Sequence, residues 1–219
     1  MEIEAIEINT DDLNETEKFY SEKMGFKLLR KDDDSISFEV GSSVLSFVKS
    51  KNIQPNYHFA MNIPKNKLEE AIHWASVRFE LIVNDEKEIV SNFESWNAKA
   101  IYFFDNNDNI LEFIARYDLN NASDQNFSSA SILSISEIGI VVDDPLSKAS
   151  ELHESINLEY FDKSKKSETF VGLGDDDGLL IFVQKNRKWF PTQKVAIKHA
   201  VKIQIRTNGI QSEIEFKNT

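Results

Sequence analysis

The chain has 219 residues, a formal net charge of −12, 41% hydrophobic residues and no cysteine. The charge, with no basic stripe to offset it, excludes nucleic acid as an expected partner, and the missing thiol excludes cysteine nucleophiles, disulfides and Cys-ligated zinc. No apolar run is long enough to span a bilayer, and the acidic start MEIEAIEI is unlike a secretory signal, so a cytoplasmic protein with no membrane partner is expected.

Residues 3–9 alternate as a strand, with Ile6 and Ile8 on one face and Ala5 and Glu7 on the other. TDDLNETEKFYSEKMGF then reads as a helix that Thr10 or Asp11 can cap. Leu13, Thr16, Tyr20 and Met24 share one face, with Phe19 beside them, and Gly25 is the stop. FKLLR, SISFEV and SVLSFV continue as strands, so residues 1–50 have the order β-α-β-β-β.

The order then repeats. YHFAMNI (57–63) alternates, KNKLEEAIHWASV carries a helical apolar stripe, and KAIYFF and ILEFIAR flank the turn DNNDN. Residues 120–130 are polar and small and read as a linker. Beyond them ILSISEIGIVVDDPLSKASELHESINLEYF, ETFVGL and GLLIFV form a third unit, and HAVKIQI (199–205) opens a fourth that has no helix. The repeat recurs about every 60 residues.

DDLNETEKFYSEKMGF, HFAMNIP and FFDNNDNILEFI resemble the first helix and the opening and closing strands of the vicinal oxygen chelate superfamily, which includes glyoxalase I, bleomycin resistance proteins and extradiol dioxygenases. The resemblance covers residues 1–118 and extends over 134–206 through SEIGIVVDDP and NRKWFPT. It implies an α+β fold of β-α-β-β-β modules that pair into curved mixed sheets with helices outside. The expected organisation is a two-module domain over 1–118, a linker over 119–131, and a third module with a truncated fourth over 132–219. It also implies a concave pocket for a small organic molecule and a divalent metal held by the first and last strands of each module.

Carried over by position, His58 and Glu112 are the implied metal ligands of the second module, and an imidazole with a carboxylate suits Zn, Mn, Fe, Ni or Co. Parity agrees: His58, Ala60 and Asn62 share one face of their strand, and Ile110, Glu112 and Ile114 share one face of theirs. The alternative for this pair is a carboxylate–imidazole hydrogen bond left from a metal-binding ancestor. The first module departs from the pattern, with Ala5 and Ser46 at its ligand positions and Glu7 one pleat beyond Ala5 as a displaced ligand or base. Glu137 and His199 form a second candidate pair in a half-cup that the other half of the chain or a second subunit would complete, so a homodimer is one expected assembly. Trp96 and Asn97 are candidates for the pocket mouth, and Trp189 with Phe190 for an aromatic wall or plug. His73 reads as a surface residue, His153 as a packing residue, and Asp175–Asp177 as a hairpin turn.

The implied activity is metal-dependent lyase, isomerase or dioxygenase chemistry, with Glu112 and Glu7 as candidate catalytic carboxylates. The rival readings are a drug- or metabolite-binding protein without catalysis and a dimerisation scaffold.

Overall fold

The structure, a computed structural model, describes residues 1–50 and 56–217. The first module comprises β1 (Glu2–Thr10), α1 (Leu13–Glu17), β2 (Lys27–Lys31), β3 (Ser35–Val40) and β4 (Ser43–Lys49). The second has β5 (His58–Ile63), α2 (Leu68–Ser76), β6 (Leu81–Ile82), β7 (Ser91–Phe93), β8 (Ala98–Phe104) and β9 (Ile110–Arg116). The third has β10 (Ser134–Val142), α3 (Pro145–Ile156), β11 (Phe170–Asp175) and β12 (Gly178–Gln184), and β13 (Val201–Thr207) with β14 (Ile210–Phe216) ends the chain. Among the described residues no helix is long and apolar enough to cross a membrane.

The first helix is shorter than its apolar stripe predicts. Asp12 caps it, accepting from the N–H groups of Asn14 and Glu15, in place of the expected Thr10 or Asp11. After Glu17 the chain widens into a π turn over Lys18–Lys23 that still buries Phe19 and Tyr20, and Gly25 closes it at a φ of 72°.

Two mixed sheets result. One has six strands in the order β14-β13-β1-β4-β3-β2 and the other eight, in the order β11-β12-β10-β5-β9-β8-β6 with β7 also on β8. The second module therefore pairs with the third through β5 and β10, and the first pairs with the truncated fourth through β1 and β13. This differs from the expected pairing of the first two modules inside residues 1–118. The sheet seams cross the expected boundary, because each opening strand offers a free antiparallel edge that a distant strand fills. The fourth unit closes on the first module of its own chain, and β14 folds back on β13 as an unexpected hairpin.

The expected linker is a fixed strap. Phe127 is buried against Trp74 and Phe113, its N–H donates to Glu70, and Asn66 and Ser123 exchange hydrogen bonds. A single aromatic in a polar stretch supplies the anchor.

Ile6, Ile8, Phe47 and Ile203 of the six-stranded sheet join Phe59, Met61, Phe113 and Phe182 of the eight-stranded sheet in one core, to which each of the three helices contributes. The opposite face of the eight-stranded sheet has a second, smaller core that includes Ala60, Ile110, Ile114 and Ile181, capped by Phe161, Trp189 and Ala196. The site lies on this second face.

Candidate functional site

The turn that precedes Glu112 is built by its own side chains. Asp105 accepts from the backbone N–H groups of Asn107 and Asn109, from the Asn109 amide, and from the Tyr20 hydroxyl at 2.7 Å. Burial pushes Asp105 up to about 6, and the donors of Tyr20 and Asn109 hold it from rising further. Asn109 Oδ1 in turn accepts from the Tyr57 N–H, and the Ile110 N–H donates to the Tyr57 carbonyl. These bonds set the parallel register of β5 and β9, in which His58 lies opposite Ile110 and Ala60 opposite Glu112. Period-two alternation then turns His58 and Glu112 to the same face.

Glu137 joins them from β10, where it pairs with Ala60 across the antiparallel seam. One donor atom from each of His58, Glu112 and Glu137 lies within 4.8 Å of the others. All three residues are buried, at 7%, 2% and 2% exposure. The His58 ring is fixed at both nitrogens: Nδ1 is 3.1 Å from the Ile110 carbonyl, and Nε2 is 3.4 Å from Glu112 Oε2. Burial pushes this imidazole down, but the hydrogen bond and charge of Glu112, aided by the charge of Glu137, outweigh it and hold its pKa above the ordinary value. Burial and the charge of Glu112 push Glu137 up to about 7, against the pull of Arg116 and His58. Tyr102, opposite Glu112 on β8, is held well above the ordinary phenol range by burial and the same two carboxylates.

Arg116 completes the floor. It lies four residues after Glu112 on the same face of β9, is wholly buried, and donates to Glu137 Oε1 and to Asp176 Oδ1. The β11–β12 hairpin turn, which falls at the expected Asp175–Asp177, brings Asp176 to it, and Lys163 holds Asp176 from the other side. The guanidinium lies 5.5 Å from the Trp96 ring.

Above the three donors is a cavity of about 280 Å³. Its walls include Phe93, Trp96, Tyr102, Phe170, Trp189 and Phe190. Trp189 lies 5.3 Å from the His58 ring and reaches over Gly139, where a Cβ would meet its ring at 2.4 Å. A glycine on β10 thus makes room for the indole that narrows the cup.

A model of the Glyoxalase/Bleomycin resistance protein/Dioxygenase superfamily matches residues 2–181. The chain belongs to this superfamily. No curated protein matches it. Among solved structures, glyoxalase I from Zea mays shares 15% identity at a TM-score of 0.56, over 89% of this chain and 72% of that one. A Bacillus subtilis protein provisionally termed a dioxygenase shares 17% identity at a TM-score of 0.57 over 84% of this chain. The chain spans 63% of that protein's length. These likenesses are at the level of fold.

Within this superfamily fold, register compares the two sheets directly. Ala60 faces Glu112 and Glu137 in the eight-stranded sheet, and Glu7 faces Ser46 and Lys202 in the six-stranded one. Ala5, Ser46 and Lys202 therefore occupy the places of His58, Glu112 and Glu137. A fourth place in the donor-bearing sheet, opposite Gly139 on β12, is filled by Ile181, which lines the cavity.

Of the residues expected from sequence, His58, Glu112, Glu137, Trp96 and Trp189 meet at this cavity. Glu7 does not, since it is exposed on the six-stranded sheet opposite Lys202. Glu137 is bound by Arg116, whereas His199 lies 5.3 Å from the Tyr57 ring and accepts from the Asn56 N–H. The expected Glu137–His199 pair does not form, because β13 begins at Val201 and the residue on it that takes the place of Glu137 is Lys202. Asn97 ends a short helical turn at a φ of 48° and donates to Asp118 instead of lining the cavity. His73 is exposed, and His153 is half-buried against the Leu158 carbonyl and the Tyr160 ring. Arg116 was legible as an arginine sharing the inward parity of Glu112, the same anomaly that marks Glu112 itself.

Proposed function

We propose that the chain is a metal-dependent enzyme acting on a small oxygenated molecule, by lyase, isomerase or dioxygenase-type chemistry. The observation that carries this reading is the convergence of His58, Glu112 and Glu137 at the base of a cavity of about 280 Å³. The donor set fits a divalent cation: one imidazole and two carboxylates suit Zn, Mn, Fe, Ni or Co, and three protein donors beside a cavity leave room for substrate. The Nδ1 contact with the Ile110 carbonyl directs Nε2 to the donor cluster, the outer-shell arrangement that orients ligating histidines. Glu137 can bind Arg116 through one oxygen and still offer the other. A bound divalent ion supplies Lewis-acid polarisation of a substrate's paired oxygens.

The chain's own groups divide the remaining work. Glu112 is the carboxylate placed to take and return a proton, lying 3.4 Å from His58 Nε2 and beside the cavity. Trp189 and Phe190 exclude water and pack against the substrate's apolar body. Arg116 keeps Glu137 turned toward the cluster.

One observation favours the rival reading of a metal-free binding protein. The charges of Glu112 and Glu137 are already matched by His58 and Arg116 within the chain. Metal analysis of protein purified without chelator separates the two. The enzyme reading expects one divalent ion per chain, lost in His58→Ala; absence of metal, with no uptake on adding Zn, Mn, Fe, Ni or Co, refutes it.

A further inference from the structure

Among the described residues, most cations near the cavity are matched to a carboxylate. Arg116 holds Glu137 and Asp176, and Lys163 holds Asp118 and Asp176. Arg187 is not. It lines the cavity, half-buried, with its guanidinium 5.2 Å from the Phe170 ring. Among the described residues the guanidinium makes one hydrogen bond, a long contact of 3.4 Å from Nη1 to the carbonyl of its own neighbour Lys188. No carboxylate lies within ion-pair distance of it among the described residues, in a chain carrying 37 acidic side chains. Burial lowers its pKa, the sign of a charge that has lost water without gaining a counter-ion. A guanidinium presents a planar fork of donors that matches a carboxylate or phosphate group.

The rest of the cavity sets the shape of the partner. Its walls are aromatic, which suits a flat apolar body. At the floor Arg116 is already engaged by Glu137 and His58 lies against Glu112, so neither is a free counter-charge for an anionic end, and that end belongs at Arg187. A cationic guest gains little, since the floor carboxylates are already matched and Arg187 repels it.

We propose that the cavity selects anionic molecules with an aromatic or flat apolar body, whose carboxylate- or phosphate-type group pairs with Arg187 while the opposite end reaches toward His58, Glu112 and Glu137. The inference rests on the cavity being the ligand site, as proposed above, and does not require the metal.

Isothermal titration with three probes of one shape tests it: 2-naphthoate, the neutral 2-naphthamide and the cationic 2-naphthylmethylamine. Chelator-treated full-length protein should bind the naphthoate at least about tenfold more tightly than the amide, the value of one charge-assisted hydrogen bond. Arg187→Gln should bring that ratio toward one and raise the amine relative to the amide, whereas Arg187→Lys should retain part of the preference. A melting curve shows that each variant is folded. A preference that survives in Arg187→Gln overturns the proposal, as does wild-type protein that binds no probe or binds the amide or amine as tightly as the naphthoate. The titrations are repeated with Mn²⁺ present. A naphthoate preference that needs the metal and ignores Arg187 puts the anion on the metal and also overturns the proposal. A preference seen in protein that takes up no metal leaves it standing while the metal reading fails.

Discussion

At the register positions where the eight-stranded sheet holds His58, Glu112 and Glu137, the six-stranded sheet holds Ala5, Ser46 and Lys202. The backbone is the same repeated module, so the difference lies in what each polar face packs against. The donor-bearing face is roofed by Phe161, Trp189 and Ala196, its carboxylates are buried, and burial raises the proton affinity of Glu137. The other face is open, with Glu7 exposed and Ser46 and Lys202 half-buried. There an ordinary ion pair forms between Lys202 and Glu213 on the neighbouring β14. Burial and donor identity together make a site, and the fold supplies neither alone.

The largest expected effect breaks the roofed site from below. Arg116→Met leaves Glu137 and Asp176 without their shared cation, and removing one partner of a buried pair costs about 3–5 kcal/mol. Urea unfolding measures it; a cost under 1 kcal/mol would show that the network is not coupled to the fold.

Next is the contrast of matched substitutions in the two sheets. His58→Ala should weaken binding of the divalent ion by more than about 100-fold, beyond the range seen for outer-shell changes. Glu7→Ala should leave that affinity unchanged. Titration of chelator-treated protein compares them, and equal losses would return Glu7 to the site.

A smaller effect tests the roof. Gly139→Ala forces the Trp189 ring away and should cost about 1–3 kcal/mol, as overpacking does. Its near-ultraviolet circular dichroism should change at the tryptophan bands. An unaltered spectrum would mean that the indole does not depend on this approach.

The mildest is pH. His58 and Glu137 both hold protons more tightly folded than unfolded, and a metal requires both to be released. Affinity should therefore fall as pH drops below about 7, by about tenfold per unit for each proton displaced. In metal-free protein the sign is opposite. The stability from Glu137 is fully present below its ordinary value of 4.5 and is lost as pH rises through about 7. That from His58 is fully present below 6.5 and is lost as pH rises through its elevated folded value. Melting curves of wild type and Glu137→Gln from pH 5 to 8, with and without Mn²⁺, check both signs.

Much of this was legible in the chain because period-two alternation is local. The strands HFAMNI and ILEFIAR show which side chains share a face within each strand, and the resemblance to the superfamily, with which that parity agrees, is what matched His58 with Glu112. Which opening strand meets which is not local. Glu137 reaches His58 only because β10 takes the free edge of β5, and β13 takes that of β1. His199 misled because the chain between β12 and β13 runs as a loop that seats Trp189 in the cup, and this delays the strand to Val201. Ile181 at the fourth place leaves a site of three donors, as module symmetry alone would not have shown.

The central claim is tested most directly by crystals soaked in Mn²⁺ or Zn²⁺ and measured at the metal's absorption edge. One anomalous peak within bonding distance of His58 Nε2 and a carboxylate oxygen of both Glu112 and Glu137, with none at Ala5, Ser46 and Lys202, is the predicted result. A metal bound only elsewhere, or none while His58 and Arg116 keep their carboxylate partners, would contradict it.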